Sequence, residues 1–291
     1  MNPRQMFCPN PDCVAKGQVG RGNITIHSPK EQRYKCNACQ KTFSARHGTP
    51  FYRRRVSEEV ITCIVTLCAY GCPVAAIVAA FGYQARTVGK WLEQAGVHCR
   101  EVHEQVVSKG RDLGQVQADE LYVKMQKGRF WMALALQMCS RLWLGGVIGP
   151  HRDKSLLYAL AERIRRCAIE APLLLVTDGF TSYIDCFRRA FRRAICNGKV
   201  GRNKRVSWQG LVVAQVVKAY KRGGKRTSAL GARFCRVAVG TFTELAALLK
   251  KTQQTPLLHT AYIERLNATF RSRLAGLARR TRCLLRLKQR M

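Results

Sequence analysis

The chain has 291 residues, 47% of them hydrophobic, which allows one large packed domain with one or two small ones and excludes wholesale disorder. Its 51 Lys and Arg stand against 17 Asp and Glu, and a formal net charge of +34 calls for an anionic partner, most commonly nucleic acid, whose phosphates release counterions when neutralised. The 14 cysteines do not make a secreted disulfide scaffold: the chain is too long to need such staples, and it opens on MNPRQMFCPN without an apolar leader, so a reducing cytoplasm or nucleoid is expected.

Composition divides the chain into residues 1–50, 51–108 and 109–291. The first segment carries Cys8 and Cys13, then Cys36 and Cys39, as two paired knuckles with strand-like residues between and after them (Arg33-Tyr34-Lys35 and Phe43). Two such pairs present four thiolates to one point, the donor set of a tetrahedral structural zinc site; four unrelated free thiols are the alternative. With so little core of its own, a segment this small draws much of its folding energy from the metal.

The second segment predicts three helices. Ser57 is an N-cap followed by Glu58 and Glu59; Ile61, Ile64, Val65 and Cys68 lie on one face. After Gly71-Cys72-Pro73, the residues Val74, Ile77, Val78 and Phe81 repeat at helical spacing up to Gly82. Val88, Trp91, Leu92 and Ala95 form a third stripe that Gly96 is expected to close. Residues 60–81 are uncharged, but the break at 71–73 favours two short helices over a membrane span, so no membrane partner is expected. Helix, short helix, turn, helix is a helix-turn-helix plan, with Gln84, Arg86, Thr87 and Lys90 exposed near the start of the third helix as candidate DNA contacts; a plain three-helix bundle is the alternative.

The third segment begins with the alternating strand QVQADELYV at 115–123. Two more strands follow at 129–136 and 142–148, then an amphipathic helix at 154–168, a continuous apolar strand ending at Asp178, and a helix at 181–191. This β-β-β-α-β-α order is that of a ribonuclease H-like mixed sheet flanked by helices, in which the first and fourth strands are parallel neighbours and Asp119 and Asp178 sit side by side. Two such carboxylates repel each other and are costly to desolvate, and a hard divalent cation such as magnesium or manganese compensates both. A third acid is sought downstream, where between Cys186 and Thr243 there is no Asp or Glu at all. Glu264 is preferred over Glu244, which is placed as an ordinary first-turn acid. Thr260, Glu264, Asn267 and Arg271 share one polar helix face suited to a metal ligand and phosphate donors, beside an apolar stripe of Ile263, Leu266, Phe270 and Leu274. Glu120 is expected on the opposite sheet face from Asp119 and is not assigned to the metal. His151, Asp153 and Asp185 are placed as surface or capping groups, and Trp131, Trp143 and Trp208 as core. The basic, acid-free stretch from Arg188 to Arg226 is expected to follow the phosphate backbone beside the active site through Arg192, Arg193, Lys199, Arg202, Lys204 and Arg205, a solvated face being the alternative, and Arg271, Arg273, Arg279, Arg280 and Arg282 are given the same role.

QADELYVK around Asp119, LLLVTDGFTSY around Asp178 and AYIERLNATFRSRL around Glu264, in this order behind cysteine knuckles, FSARHGTPFYRRR and a helix-turn-helix, resemble the DDE transposases of small bacterial insertion sequences along nearly the whole chain. The resemblance implies Asp119, Asp178 and Glu264 as a catalytic trio holding two magnesium or manganese ions. It also implies cleavage at the element's terminal inverted repeats, transfer of the freed 3′-hydroxyl to target DNA, and at least a dimer on the paired ends. A DNA-binding regulator with an idle ribonuclease H-like domain, and a nuclease acting on RNA or branched DNA, are the competing expectations.

Overall fold

The structure is a computed structural model that describes residues 2–126, 128–195, 198, 203–220, 230–253 and 256–278, with side chains for all of these except 218–220 and 230–233. Lys199, Arg202, Arg279, Arg280 and Arg282 therefore lie outside the described residues. The chain divides into two compact units, Met1–His103 and Glu104–Met291.

In the first unit, β1 (Ile24–Ser28), β2 (Arg33–Cys36) and β3 (Thr42–Ser44) form an antiparallel sheet. Tyr34 and Phe43 stack with ring centroids 5.9 Å apart and, with Ala15 and Ile24, pack around the buried cysteines. Three helices follow. Ser57 caps α1 (Glu58–Ala69) by accepting from the Val60 N–H. The second, α2 (Val74–Phe81), stops at Gly82, whose φ of 72° suits a residue without a Cβ. Ile61, Ile64, Ile77, Val88 and Trp91 form the buried centre of this module together with α3 (Ala85–Val107). The last helix departs from expectation: it runs 23 residues straight through Gly96. A lone interior glycine costs only about 1 kcal/mol against alanine, and no proline or further glycine follows it before Gly110. The chain turns instead at Gly110, with φ of 56°. The uncharged stretch 60–81 folds as α1 and α2, and among the described residues no helix is long and apolar enough to cross a membrane.

The second unit is an α/β fold. Its elements are β4 (Gln115–Lys124), β5 (Arg129–Gln137), β6 (Trp143–Gly149), α4 (Lys154–Cys167), β7 (Leu173–Asp178), α5 (Ser182–Ala190), β8 (Arg192–Ile195), β9 (Lys204–Ser207), β10 (Leu211–Tyr220), β11 (Leu230–Val239), α6 (Phe242–Gln253) and α7 (Ala261–Arg273). Six strands make one mixed sheet in the order β11-β10-β7-β4-β5-β6. β4, β5 and β6 form an antiparallel meander, β7 runs parallel to both β4 and β10, and β11 returns antiparallel to β10.

Alternation along the strands decides what each face covers. Val116 and Ala118 of β4, Leu173 and Leu175 of β7 and Val213 of β10 pack with Leu157, Leu160 and Ile164 of α4 and Tyr183 and Phe187 of α5. On the other face, Leu174, Val176, Val212 and Ala214 meet Leu245, Leu248 and Leu249 of α6. Leu121, Val123 and Leu134 meet Ile263 of α7, with Leu266 and Phe270 at the margin. The apolar stripe expected on α7 thus packs on the sheet except at Leu274, which caps the helix and is 37% exposed.

Part of the long basic run is core. β10 carries the buried run Leu211–Val216 between basic neighbours, and Trp208 is buried against Phe191. The basic hairpin also lies elsewhere than expected. β8 pairs with β9, exposing Arg192, Arg193, Lys204 and Arg205. Arg193 pairs with Glu170, just before β7 begins, whereas Asp178 ends that strand. At about 3.3 Å per residue this places the hairpin roughly 17 Å along the strand from Asp178, at the opposite end of the sheet.

Candidate functional site

The parallel pairing of β4 with β7 ends at Gln117 opposite Val176. Continued in register, the next residues on the same face are Asp119 and Asp178, so both acids stand where the two strands part. This is also where the chain, having laid β5 and β6 to one side of β4, crosses to place β7 and β10 on the other, the position at which open α/β sheets form their crevices.

Asp119, Glu120 and Asp178 each offer a carboxylate oxygen within 4.8 Å of the others. Asp119 accepts the Glu120 N–H on Oδ1 at 2.8 Å and the Asn267 side-chain amide on Oδ2 at 2.7 Å. Burial raises its pKa to about 6; the Glu120 N–H opposes that rise, and the charges of Asp178 and Glu264 add to it. Asp178 Oδ1 accepts the Phe180 N–H at 3.0 Å, which fixes the turn after β7. Hard oxygen donors converging this closely fit magnesium or manganese.

Glu264 stands outside this compact group. It lies exposed in the first turn of α7, where the Thr260 hydroxyl donates to its Oε1 at 2.9 Å. Its neighbours on the polar face are buried: Asn267 is 3% exposed and Thr260 8%. Arg271, one turn beyond Asn267, lines a cleft with Tyr122 and Lys124. Glu244 is the expected first-turn acid, exchanging bonds with Thr241 in a capping box.

Several residues essential to this geometry were not anticipated. Gln117, fully buried, accepts the N–H groups of Tyr262 and Ile263 at 3.1 and 3.0 Å and donates to the His259 carbonyl at 2.9 Å. It caps the N-terminus of α7 from β4 and so sets where Glu264 and Asn267 stand relative to Asp119. Gln215 of β10, also fully buried, donates to the carbonyls of Asp178 and Phe180, both at 2.9 Å. Arg152, just before α4, donates from Nη2 to Glu120 Oε2 at 2.8 Å and to Asp178 Oδ2 at 3.1 Å, and from Nε to Glu120 at 3.2 Å. Its guanidinium lies 4.2 Å from the Phe180 ring centroid and 5.6 Å from that of Trp131. Glu120 faces the α4 and α5 side, opposite Asp119 as expected, yet its carboxylate still comes within 4.8 Å of those of Asp119 and Asp178, and Arg152 bridges it to Asp178. Burial raises the Glu120 pKa, and Arg152 opposes that rise.

In the first unit the Sγ atoms of Cys8, Cys13, Cys36 and Cys39 all lie within 4.8 Å of one another. Cys8 and Cys39 are 3.6 Å apart and Cys13 and Cys36 3.9 Å. Four sulfurs about 2.3 Å from a tetrahedral zinc are about 3.8 Å from each other, whereas a disulfide needs about 2.05 Å. The geometry fits zinc. Burial pushes the Cys8 thiol up to about 12. For Cys36, burial is outweighed by the N–H groups of Cys39 and Ala38 and the Asn23 amide at 3.2 Å, which bring the thiol down to about 6.

Of the residues expected to contact DNA through the helical module, Gln84, Arg86 and Lys90 are exposed and Thr87 is half-buried. The Gln84 carbonyl accepts the Thr87 and Val88 N–H groups, opening α3. Neither a protein-family model nor a curated protein sequence matches the chain.

Proposed function

We propose that the chain is a DDE transposase of the insertion-sequence kind, which binds terminal inverted repeats of double-stranded DNA and catalyses metal-dependent strand cleavage and transfer. The observation that carries this reading is the crevice where β4 and β7 part, with Asp119 and Asp178 facing each other and α7 bringing Asn267 and Glu264 to the same side. A ribonuclease H-like plan calls for parallel first and fourth strands with an acid on each, and β4 and β7 meet that requirement.

Two bound magnesium or manganese ions supply an activated water or 3′-hydroxyl and a stabilised leaving oxygen for in-line displacement at phosphorus. The protein's own part is positional. Asp119 and Asp178 offer the converging oxygens, Asn267 orients the Asp119 carboxylate, and Gln117 holds α7, from which Glu264 completes the trio. Arg271 and Lys124, in the cleft beside Tyr122, suit phosphate contacts along a bound strand. The cysteine module, with zinc, and the start of α3 with the exposed Gln84, Arg86 and Lys90 and the half-buried Thr87 form the DNA-reading front end, and synapsis of two ends requires at least a dimer.

The test is cleavage of DNA carrying the ends that flank the gene, with manganese or magnesium, by the full-length protein. Asp119→Ala, Asp178→Ala and Glu264→Ala should each abolish nicking while end binding survives. Undiminished metal-dependent nicking by any of the three would overturn the assignment.

A further inference from the structure

Arg152 touches the acidic cluster with a cation of the protein's own. Its two carboxylate partners differ sharply: the Glu120 side chain is 1% exposed and that of Asp178 is 45% exposed. Besides the buried Tyr183 hydroxyl, which offers Glu120 a neutral hydrogen bond, Arg152 is the cation paired with this buried carboxylate, so the charge depends on the guanidinium for compensation. Asp178 has solvent, and its Oδ1 is already held by the Phe180 N–H. The contact to Asp178 is therefore the one Arg152 can release cheaply, while Nε and Nη2 keep their bonds to Glu120 and the Phe180 ring keeps the guanidinium in place.

We propose that Arg152 is an internal counter-cation that occupies a divalent ion's place on Asp178 Oδ2, yields it when the ion arrives, and is kept at the site by Glu120. This rests on the reading of Asp119 and Asp178 as metal ligands and adds a positioning residue to it. A divalent ion attracts Asp178 about twice as strongly as the guanidinium at equal distance, so exchange favours the ion once Asp119 contributes a second ligand. Before that, Arg152 keeps the carboxylates from repelling each other and holds Asp178 in its binding rotamer. It is not itself a ligand or an acid.

The experiment is a titration of the full-length protein with Mn2+ alone, free ion being read by electron paramagnetic resonance. The double variant Arg152→Gln with Glu120→Gln removes one positive and one negative charge together, leaving no unpaired buried charge. It should bind Mn2+ about fivefold more tightly than Glu120→Gln alone, which has the same acids at the site but keeps Arg152, the scale of one partly exposed ion pair removed from competition. A merely structural role for Arg152 would not tighten binding. Asp178→Asn should lose the ion in either background. Mn2+ binding in the double variant that is unchanged from or weaker than that of Glu120→Gln, with Asp178→Asn still abolishing it, overturns the role of Arg152 and leaves the metal site standing. Mn2+ binding that ignores Asp178→Asn overturns the metal site itself. In the wild type, Mg2+ should also shift the Arg152 Nε–H resonance, assigned by its loss in the double variant; a resonance indifferent to saturating Mg2+ overturns the exchange.

Discussion

The side-chain amide of Asn267 donates to Asp119 Oδ2 at 2.7 Å, joining a helix and a strand whose residues are 148 positions apart in the chain. Asn267 is 3% exposed, so the bond forms away from competing water and fixes which lone pairs of Asp119 point into the crevice. Partners that orient a ligand in this way are typically worth 10- to 100-fold in metal affinity. Asn267→Ala should accordingly weaken Mn2+ binding by roughly 10- to 100-fold and cut strand cleavage in step, with end binding unchanged in a gel-shift assay. Wild-type Mn2+ affinity in that variant would show that the contact only packs the helix.

Gln117 acts on the same assembly from beneath. Its Oε1 satisfies two of the N–H groups that the start of α7 leaves unpaired. Gln117→Leu keeps the volume and removes the acceptor, leaving two buried donors at about 1–3 kcal/mol each. The melting temperature should fall by roughly 5 °C or more. Cleavage should fall further than global stability explains, because α7 carries both Asn267 and Glu264. A melting temperature unchanged in Gln117→Leu would sink the capping role.

The sequence displays the acids of the site and hides the residues that support them, for physical reasons. Asp119 and Asp178 stand out because each interrupts or ends an apolar strand, and period-two alternation tells which face they take. The parallel pairing of β4 with β7 follows from strand order. Glu120 is assigned to the correct face by the same alternation, but that rule says nothing about a side chain reaching it from the turn before α4. With 51 basic residues in the chain, nothing singles out Arg152 until the burial of Glu120 is known. Gln117 and Gln215 leave a faint signal, an amide at a core position of a buried strand, and a buried amide implies a specific partner. The overlong α3 and the strand β10 were obscured in opposite ways. Gly96 suggested a stop that the following residues override, while flanking Lys and Arg disguised the apolar run of Leu211–Val216 as part of a DNA-contacting stretch.

The cysteine module should contain one zinc ion per chain by elemental analysis. Its hydrophobic core is small, consisting mainly of Ala15, Ile24, Tyr34 and Phe43 around the sulfurs. Structural zinc in such a module supplies folding energy that the core lacks. Chelation should therefore unfold the three-stranded sheet and add four thiols to those, such as Cys63, Cys99 and Cys139, that are already exposed to a colorimetric reagent, and Cys36→Ser should expose the remaining three without chelator. Purified protein without zinc, and no gain of reactive thiols on chelation, would exclude the site.

Asp119 makes metal binding depend on pH in a definite direction. Burial, aided by the charges of Asp178 and Glu264, raises its folded-state pKa to about 6, above the roughly 3.9 of an unfolded chain. The metal-free folded protein therefore holds a proton that the unfolded chain has already lost over this range. The stabilisation this gives is complete below about pH 4 and is lost as pH rises through about 6. A metal ion must displace the same proton. The apparent association constant for Mn2+ should thus fall about tenfold per pH unit below about 6 and level off above it. Asp119→Asn should remove both the stability slope between pH 4 and 6 and the strong Mn2+ binding. Calorimetric titrations with Mn2+ from pH 5 to 8 check the first trend, and thermal melts of the metal-free protein over the lower range check the second. An affinity that stays flat from pH 8 down to pH 5 would mean that Asp119 is ionised throughout, and that the ion does not replace a proton there.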